Sequence, residues 1–178
     1  MKILIDSADV EKIKEISKYR EITGITTNPT ILSKVEGDIK NILKELKEFT
    51  YSKYEIHIQT TESEVEGILS EARVLRKFFG ETFYIKIPVT KAGLEAIKLC
   101  SREGIKVTAT AILSPIQALA AAMNGASYVA PYVNRMENVG QDATETISVI
   151  SDLLIDYPTE ILAASFKNIK QIQEVLLQ

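Results

Sequence analysis

The sequence predicts a single α/β domain in which parallel strands alternate with helices around one core. Short runs rich in β-branched and aromatic residues alternate along the chain with stretches of helical period. The connections between these segments are short, as they are in βα units. A length of 178 residues suits one domain with a full-sized core, and no linker or low-complexity tract interrupts it. We therefore expect one barrel-type domain over residues 1–178.

Seven segments have the composition of buried strands, and each is followed by an amphipathic segment with helical spacing. The strand segments are Lys2–Asp6, Ile22–Thr27, Tyr54–Gln59, Phe83–Pro88, Lys106–Thr110, Tyr128–Tyr132 and Glu160–Ser165. The helical segments are Ala8–Lys18, Ile39–Phe49, Ser63–Phe79, Ala92–Arg102, Pro115–Met123, Ala143–Ile155 and Ile169–Leu177.

Residues that favour helix ends lie at these boundaries. Ser7 precedes the first helical segment and Thr90 the fourth, as N-cap residues do. Ser114-Pro115 supplies an N-cap and a first helical residue for the fifth segment. Gly104 and Gly125 lie where helices are expected to stop.

The composition argues against several classes of function. Charges of 21 − 24 give a net charge of −3, without the basic excess of a nucleic-acid-binding platform. A single Cys excludes a disulfide framework and fits a reducing cytoplasm, and one His with one Cys makes a metal site of the usual type improbable. The longest uncharged run, Val107 to Asn134, is interrupted by polar residues and Gly, so no membrane span is expected.

Such a series of βα units can form either an open doubly wound sheet or a closed (β/α)₈ barrel. The first βα turn, Asp6-Ser7-Ala8-Asp9, lacks the glycines that cradle a dinucleotide phosphate. Polar residues instead stand at the C-terminal ends of the strands, where barrel active sites form. The barrel is therefore favoured.

Strand alternation places a set of polar side chains on one inward face. These residues are Asp6, His57, Gln59, Tyr84, Lys86, Thr108, Thr110, Tyr128, Tyr132 and Ser165. If the sheet curls, the members at the strand ends converge on one cavity.

Lys86 has two interpretations. A lysine within an apolar strand often protects an exposed sheet edge. Here the strand is the fourth of seven, with βα units on both sides, which removes that rationale. A desolvated lysine has a lowered pKa and can attack a carbonyl as a neutral amine to form a Schiff base. We favour this functional interpretation.

The other polar residues suit imine chemistry. Tyr132 is a candidate proton shuttle, although a core tyrosine with its hydroxyl at the rim is the alternative. Gln59 and Thr110 could hold a water between the phenol and the imine carbon. Asp6 and Asn28 could hydrogen-bond substrate hydroxyls.

A phosphate site is expected after the last two strands. Arg135 follows the sixth strand, and Ser165 and Lys167 follow the seventh at the entry to a helix. Solvated loop charges are the alternative for both cations. His57 is expected to be a neutral core histidine and Cys100 a packing residue.

Four motifs resemble the small transaldolases, and more narrowly the fructose-6-phosphate aldolase branch of that family. They are TGITTNPT at 23–30, YIKIPVT at 84–90, YVAPYVNR at 128–135 and LAASFK at 162–167. The resemblance covers essentially the whole chain. It implies a (β/α)₈ barrel with class I aldolase chemistry that needs neither a metal nor an organic cofactor.

The resemblance also implies residue roles. Lys86 matches the Schiff-base lysine and Tyr132 the acid/base tyrosine, while Gln59 and Thr110 match the residues that hold the catalytic water. Asp6, Thr26 and Asn28 fall on the substrate-contacting positions, and Arg135 and Ser165 on the phosphate-binding pair, with Lys167 beside them. True transaldolases typically carry Glu where this chain has Gln59 and Phe where it has Tyr132.

These differences favour reversible cleavage of fructose 6-phosphate to dihydroxyacetone and glyceraldehyde 3-phosphate. The alternatives are transfer of a dihydroxyacetone unit to erythrose 4-phosphate, and a non-catalytic assembly subunit. The family continues through an eighth strand and a terminal helix, which are expected to be missing here. The resemblance implies a homo-oligomer, a pentamer or decamer, but the missing helix leaves that assembly open.

Overall fold

The computed structural model describes residues 1–51 and 53–177 and contains seven strands and nine helices, with one or two helices after each strand. The strands are β1 Leu4–Asp6, β2 Gly24–Thr26, β3 Glu55–Gln59, β4 Phe83–Pro88, β5 Lys106–Ile112, β6 Tyr128–Pro131 and β7 Glu160–Ile161. The helices are α1 Val10–Ser17, α2 Pro29–Leu32, α3 Ile39–Thr50, α4 Val65–Phe79, α5 Lys91–Arg102, α6 Pro115–Met123, α7 Val133–Asn138, α8 Ala143–Leu153 and α9 Ile169–Val175.

The strands form one parallel sheet in the order β1-β2-β3-β4-β5-β6-β7. Contacts across its inner face show that the sheet is curled. The Nδ1 atom of His57 on β3 lies 2.8 Å from the hydroxyl of Thr108 on β5. The hydroxyl of Tyr128 on β6 donates to Glu55 on β3 at 3.1 Å. The fold is therefore seven units of a (β/α)₈ barrel, and the predicted fold class is confirmed.

The main core lies between the outer face of the sheet and the helices. Ile56 and Ile58 on β3 and Ile85 and Ile87 on β4 are buried there, as their alternation with the inward polar residues predicts. Burying each such side chain contributes roughly 1.5–3 kcal/mol. A smaller apolar cluster joins α7 to α8. The helices thus hold the sheet from outside and leave its inner face to polar groups.

Two helices were absent from the sequence prediction. α2 has four residues and α7 has six, so neither shows the extended period that identifies an amphipathic helix. Both are held by their context instead. Asn28 caps α2 through its side chain and Pro29 begins it, while Tyr132 is the N-cap of α7 directly after β6.

Several predicted boundaries are shifted by one or two residues, and two predictions, the end of β7 and the cap of α1, were wrong. β7 covers Glu160–Ile161 rather than Glu160–Ser165, and beyond it a single bridge pairs Ala164 with Tyr132. The cap of α1 is Asp9 and not Ser7, because the Asp9 carboxylate accepts from the backbone N–H of Lys12. Ser7 instead accepts from the N–H of Asp9 at 3.1 Å.

The start of α5 packs tightly on the end of β4. Thr90 caps this helix by accepting from the N–H of Gly93 at 2.9 Å, as predicted. A Cβ atom at Gly93 would lie only 2.0 Å from the carbonyl oxygen of Pro88. Glycine is therefore required for α5 to approach the strand that carries Lys86.

In the part of the chain that the structure describes, no ladder joins β1 to β7. We call the gap between these two strands the seam. A groove of about 910 Å³ opens along it, lined by residues 1–4, residues 159–163 and the C-terminal parts of α8 and α9. At the lower end of the seam, where the strands begin, Lys2 donates to Glu160 at 2.7 Å. One long side chain thus spans the gap between the two strand edges.

The longest of the described helices, α4, has 15 residues. Across residues 1–51 and 53–177, no helix combines the length and the apolar character needed to cross a bilayer.

Candidate active site

Lys86 is the buried centre of the candidate site. It lies on β4 with 6% of its surface exposed, and its Nζ donates to the backbone carbonyl of Thr27 at 2.8 Å. Burial lowers the pKa of Lys86 because it penalises the ammonium form, and the nearby Asp6 carboxylate opposes this shift without overcoming it. The amine is therefore more available as a nucleophile than an ordinary lysine.

Asp6 is the terminal residue of β1 and faces the same end of the sheet. Its carboxylate accepts from the hydroxyl of Thr26 at 2.6 Å, and the two residues are register partners on β1 and β2. The bond holds the carboxylate at the rim of the site. It also engages the Thr26 hydroxyl as a donor, so Thr26 orients Asp6, while its predicted contact with substrate remains a prediction.

The phenol of Tyr132 is held by Thr110. The fully buried Thr110 hydroxyl donates to the Tyr132 hydroxyl at 2.8 Å. A bulge in the β5–β6 pairing lies between Ala109 and Ile112, and Ala111 within it adopts a φ of 59°. The structure thus brings together two residues that the sequence places 22 positions apart.

Gln59 is the last residue of β3 and the register partner of Lys86 on β4. Neighbouring residues in register share a face of the sheet, so the amide of Gln59 stands beside the lysine on the inner side. It is half-buried. Its predicted task of holding a water remains a prediction.

Asn28 has a structural task that the sequence prediction did not include. Its side-chain oxygen accepts from the N–H of Ile31 at 2.9 Å and so caps α2. That oxygen is engaged, which leaves the amide nitrogen as the end that could donate to a substrate hydroxyl.

Two of the predicted phosphate residues lie beside Tyr132. The guanidinium of Arg135 stands over the Tyr132 ring at 4.9 Å from its centroid, and Arg135 is exposed on α7. Ser165, with a φ of 61°, accepts through its carbonyl from the N–H of Asn134 at 3.0 Å, next to Arg135 in the chain.

Lys167 is also exposed, and its backbone N–H donates to the side chain of Gln171 at 2.6 Å. Arg135 and Ser165 are thus close neighbours, whereas Lys167 lies two residues further on, at the approach to α9.

A second polar group, which we call the lower cluster, occupies the beginning of the strands. Its members are Lys2, Glu55, His57, Tyr84, Tyr128 and Glu160. The Tyr128 hydroxyl accepts from Lys2 at 2.6 Å and donates to Glu55, and the His57 ring stacks on Tyr84 at 4.4 Å. Strand alternation predicted that His57, Tyr84 and Tyr128 face inward; Glu55 was not predicted, although alternation puts it on the same face as His57.

The electrostatics of the lower cluster keep His57 neutral. Burial lowers the pKa of His57, and the partly buried Glu55 only partly offsets this effect. Burial would raise the pKa of Glu55, but its bond to His57 and the charge of Lys2 outweigh that effect, so its pKa is lowered. His57 is thus a neutral core residue, as expected. The thiol of Cys100 is also buried, and burial raises its pKa to about 11.

Solved structures support the barrel architecture. A putative galactarate dehydratase of the enolase type from Agrobacterium radiobacter superposes with a TM-score of 0.66 at 11% identity, over 98% of this chain and 47% of that one. A muconate lactonizing enzyme gives a TM-score of 0.62 at 11% identity, over 90% and 45%. The chain spans about half the length of these proteins, and at this identity the likeness shows the fold alone.

Sequence comparison identifies the family. The model described as Transaldolase/Fructose-6-phosphate aldolase matches residues 3–178. A probable fructose-6-phosphate aldolase of Streptococcus pneumoniae is 42% identical over 99% of this chain and 81% of its own length. A probable transaldolase of Nitrosopumilus maritimus is 37% identical over 98% and 78%. The chain belongs to the transaldolase/fructose-6-phosphate aldolase family, whose members are Schiff-base-forming enzymes that act on sugar phosphates.

Proposed function

We propose that the protein is a class I aldolase that reversibly cleaves fructose 6-phosphate into dihydroxyacetone and glyceraldehyde 3-phosphate. The observation that carries this proposal is the buried amine of Lys86 with its lowered pKa, on the same inner face as Gln59 and at the strand end where Thr110 holds the Tyr132 phenol. A nucleophilic amine and a positioned phenol are the two groups that imine chemistry needs.

In the first stage, the Lys86 amine attacks the C2 carbonyl of the sugar. Proton transfers convert the resulting carbinolamine to a protonated imine, and one water molecule leaves. The protonated imine is an electron sink. Arg135 and Ser165 are proposed to bind the phosphate, with Lys167 as a further cation, and Asp6, Thr26 and Asn28 to hydrogen-bond the sugar hydroxyls.

In the second stage, a base removes the proton of the C4 hydroxyl and the C3–C4 bond breaks. Its electron pair passes into the imine, which becomes an enamine, and glyceraldehyde 3-phosphate leaves. Protonation at C3 returns the enamine to an imine, and water hydrolyses that imine to free dihydroxyacetone and the Lys86 amine. We assign the proton transfers to Tyr132, through a water held by Gln59 and Thr110.

The pair Gln59 and Tyr132 favours aldol cleavage over group transfer. The resemblance assigns Glu and Phe to these two positions in true transaldolases. A phenol can both deliver a proton to the enamine and take it back, so the intermediate can be released as free dihydroxyacetone without an acceptor sugar.

A second candidate is transaldolase activity, with an aldose phosphate such as erythrose 4-phosphate as acceptor. The observation in its favour is that the relatives from Nitrosopumilus maritimus and Caldicellulosiruptor saccharolyticus, at 37% and 39% identity, are described as probable transaldolases. A coupled assay separates the two candidates. Release of glyceraldehyde 3-phosphate from fructose 6-phosphate alone supports the aldolase, and strict dependence on erythrose 4-phosphate supports the transferase.

Borohydride trapping tests the imine directly. Reduction in the presence of dihydroxyacetone should attach the three-carbon unit to Lys86, as peptide mass spectrometry would show. Lys86→Met should abolish both the adduct and the turnover. Lys98→Met, which removes an exposed lysine on α5, is the matched control and should change neither. Turnover that survives in folded Lys86→Met protein would contradict the proposal.

A further inference from the structure

The loop between β3 and α4 is tied to the side chain of Glu71, a half-buried residue on α4. One carboxylate oxygen accepts from the hydroxyl of Thr60 and from the backbone N–H of Thr61, the latter at 2.9 Å. The other oxygen accepts from the hydroxyl of Thr61 at 3.3 Å. Three donors from two consecutive residues therefore converge on one carboxylate.

These two threonines directly follow Gln59 in the chain. The backbone N–H of Thr60 also donates to the carbonyl of Lys86 at 3.0 Å. Thr60 thus bonds on one side to the strand that carries the lysine, through its backbone, and on the other side to Glu71, through its hydroxyl. The peptide group that joins Gln59 to Thr60 thus makes the first of these bonds, and the Thr60 side chain makes the second.

The same helix contacts the loop at a second place. A Cβ atom at Gly67 would lie 2.7 Å from a carboxylate oxygen of Glu62, so the loop lies close against the first turns of α4. The hydroxyl of Thr60 accepts in turn from the N–H of Glu62 at 3.1 Å. Glu71 is therefore part of a continuous set of contacts that holds the loop to the helix.

We propose that Glu71 is a positioning residue that fixes Gln59 beside Lys86 by anchoring the Thr60-Thr61 corner. The inference rests on the proposed function, because it concerns the water that Gln59 holds for the imine. Gln59 ends its strand, and its side chain has several rotatable bonds, so its aim depends on the backbone that follows it. Displacement of a catalytic group by about 1 Å can cost up to about 100-fold in rate.

Glu71→Ala should lower kcat for fructose 6-phosphate cleavage by roughly tenfold, with little change in KM, because Glu71 does not touch the substrate. Imine hydrolysis should slow while imine formation on Lys86 persists. The fraction of enzyme that borohydride traps at steady state should therefore stay the same or rise. General damage to the fold would lower trapping and turnover together.

Two variants sharpen the test. Glu71→Gln keeps an oxygen that can accept from the N–H of Thr61, and its NH₂ group can donate to the Thr61 hydroxyl. This variant should therefore retain kcat within about twofold. Glu66→Ala removes an exposed carboxylate from the same helix and is the matched control, with no change expected. If Glu71→Ala does not fold, Thr60→Val breaks the same contact from the loop side and should show the same loss of kcat.

A double-mutant cycle decides the assignment. In a Gln59→Ala background, Glu71→Ala should cost less than twofold, because there is no amide left to position. A full tenfold loss in that background would overturn the inference while leaving the aldolase proposal intact. Wild-type protein that forms no adduct on Lys86 would overturn the proposed function, and this inference with it.

Discussion

Lys86 combines a buried position with a single described hydrogen bond, from its Nζ to the carbonyl of Thr27. β4 pairs with β3 on one side and β5 on the other, so the edge-protection interpretation of this lysine is wrong. Burial opposes the ammonium form, and Asp6 only partly compensates. A residue that weakens the fold at neutral pH and still occupies a central strand is typical of a functional site.

The buried amine should make stability depend on pH in a defined window. The folded-state pKa of Lys86 lies below its ordinary value of 10.5, so between these two values the unfolded chain binds more protons than the folded one. In that window the free energy of unfolding should rise with pH by up to about 1.4 kcal/mol per pH unit. Lys86→Met lacks the group and should lose this contribution.

Urea unfolding of both proteins from pH 7 to pH 10.5 measures the effect. As the pH rises, the free energy of unfolding should increase more for the wild type than for Lys86→Met. The exposed-lysine variant Lys98→Met should show the same pH dependence as the wild type. Parallel curves for wild type and Lys86→Met would mean that the amine is not desolvated in the folded state.

At the scale of elements, the sequence predicted the long segments well and the short ones poorly. All seven strands and the seven longer helices occur where period and composition placed them. The short helices α2 and α7 depend on a cap and on the preceding strand, which leave no periodic signal. β7 was predicted four residues too long because Leu162–Ser165 continues its composition. In the structure, the only β-bridge described for this segment is the one between Ala164 and Tyr132.

For the site, alternation predicted which residues share the inner face but not which groups bond. The pairing of Thr110 with Tyr132 depends on the bulge at Ala111, and no local pattern signals a left-handed alanine. The bond from Lys86 to Thr27 ends on a backbone carbonyl, which carries no side-chain signature. Glu71 was missed for a related reason, because its partners follow a strand and are defined by loop geometry.

The packing of α5 on β4 leads to a prediction for glycine. Gly93→Ala should destabilise the fold by about 1–3 kcal/mol, because its Cβ would meet the Pro88 carbonyl and push the helix from the strand. Gly67→Ala, also helical, meets only side-chain atoms, the Glu62 carboxylate at 2.7 Å and its Cβ at 3.1 Å, and should destabilise the fold less than Gly93→Ala. Thermal unfolding of both variants compares them, and equal effects would contradict the close contact at Gly93.

On the scale of the whole molecule, the main irregularity of the described sheet is the seam. β1 and β7 each present an edge that is unpaired within the described residues, and the groove between them exposes apolar side chains. Open parallel edges are templates for association with another chain. The Lys2–Glu160 contact is partly exposed and lies at one end, so it does not cover the rest of the gap.

We expect the chain of 178 residues to self-associate through the seam. Ile3 lies in the groove with 36% of its surface exposed, and Ile3→Lys should weaken association by about tenfold, equivalent to about 1.4 kcal/mol. Ile116→Lys changes an apolar residue that is 68% exposed on α6, outside the groove, and serves as the control. Sedimentation velocity over a concentration series measures both. A wild type that stays monomeric at every concentration would contradict the expectation.

The position of the seam also divides the rim of the candidate active site into a rigid part and a part that can change width. Lys86 and Thr110 lie on the paired strands β4 and β5, and Tyr132 directly follows β6, which pairs with β5 on both sides of the bulge, so these residues keep their spacing when the sheet flexes. Asp6 and Ser165 lie on opposite sides of the gap, and among the described residues no ladder fixes the distance between them. Substitutions along those two edges could therefore change which sugar phosphates fit, while the residues proposed to act on the imine stay in place.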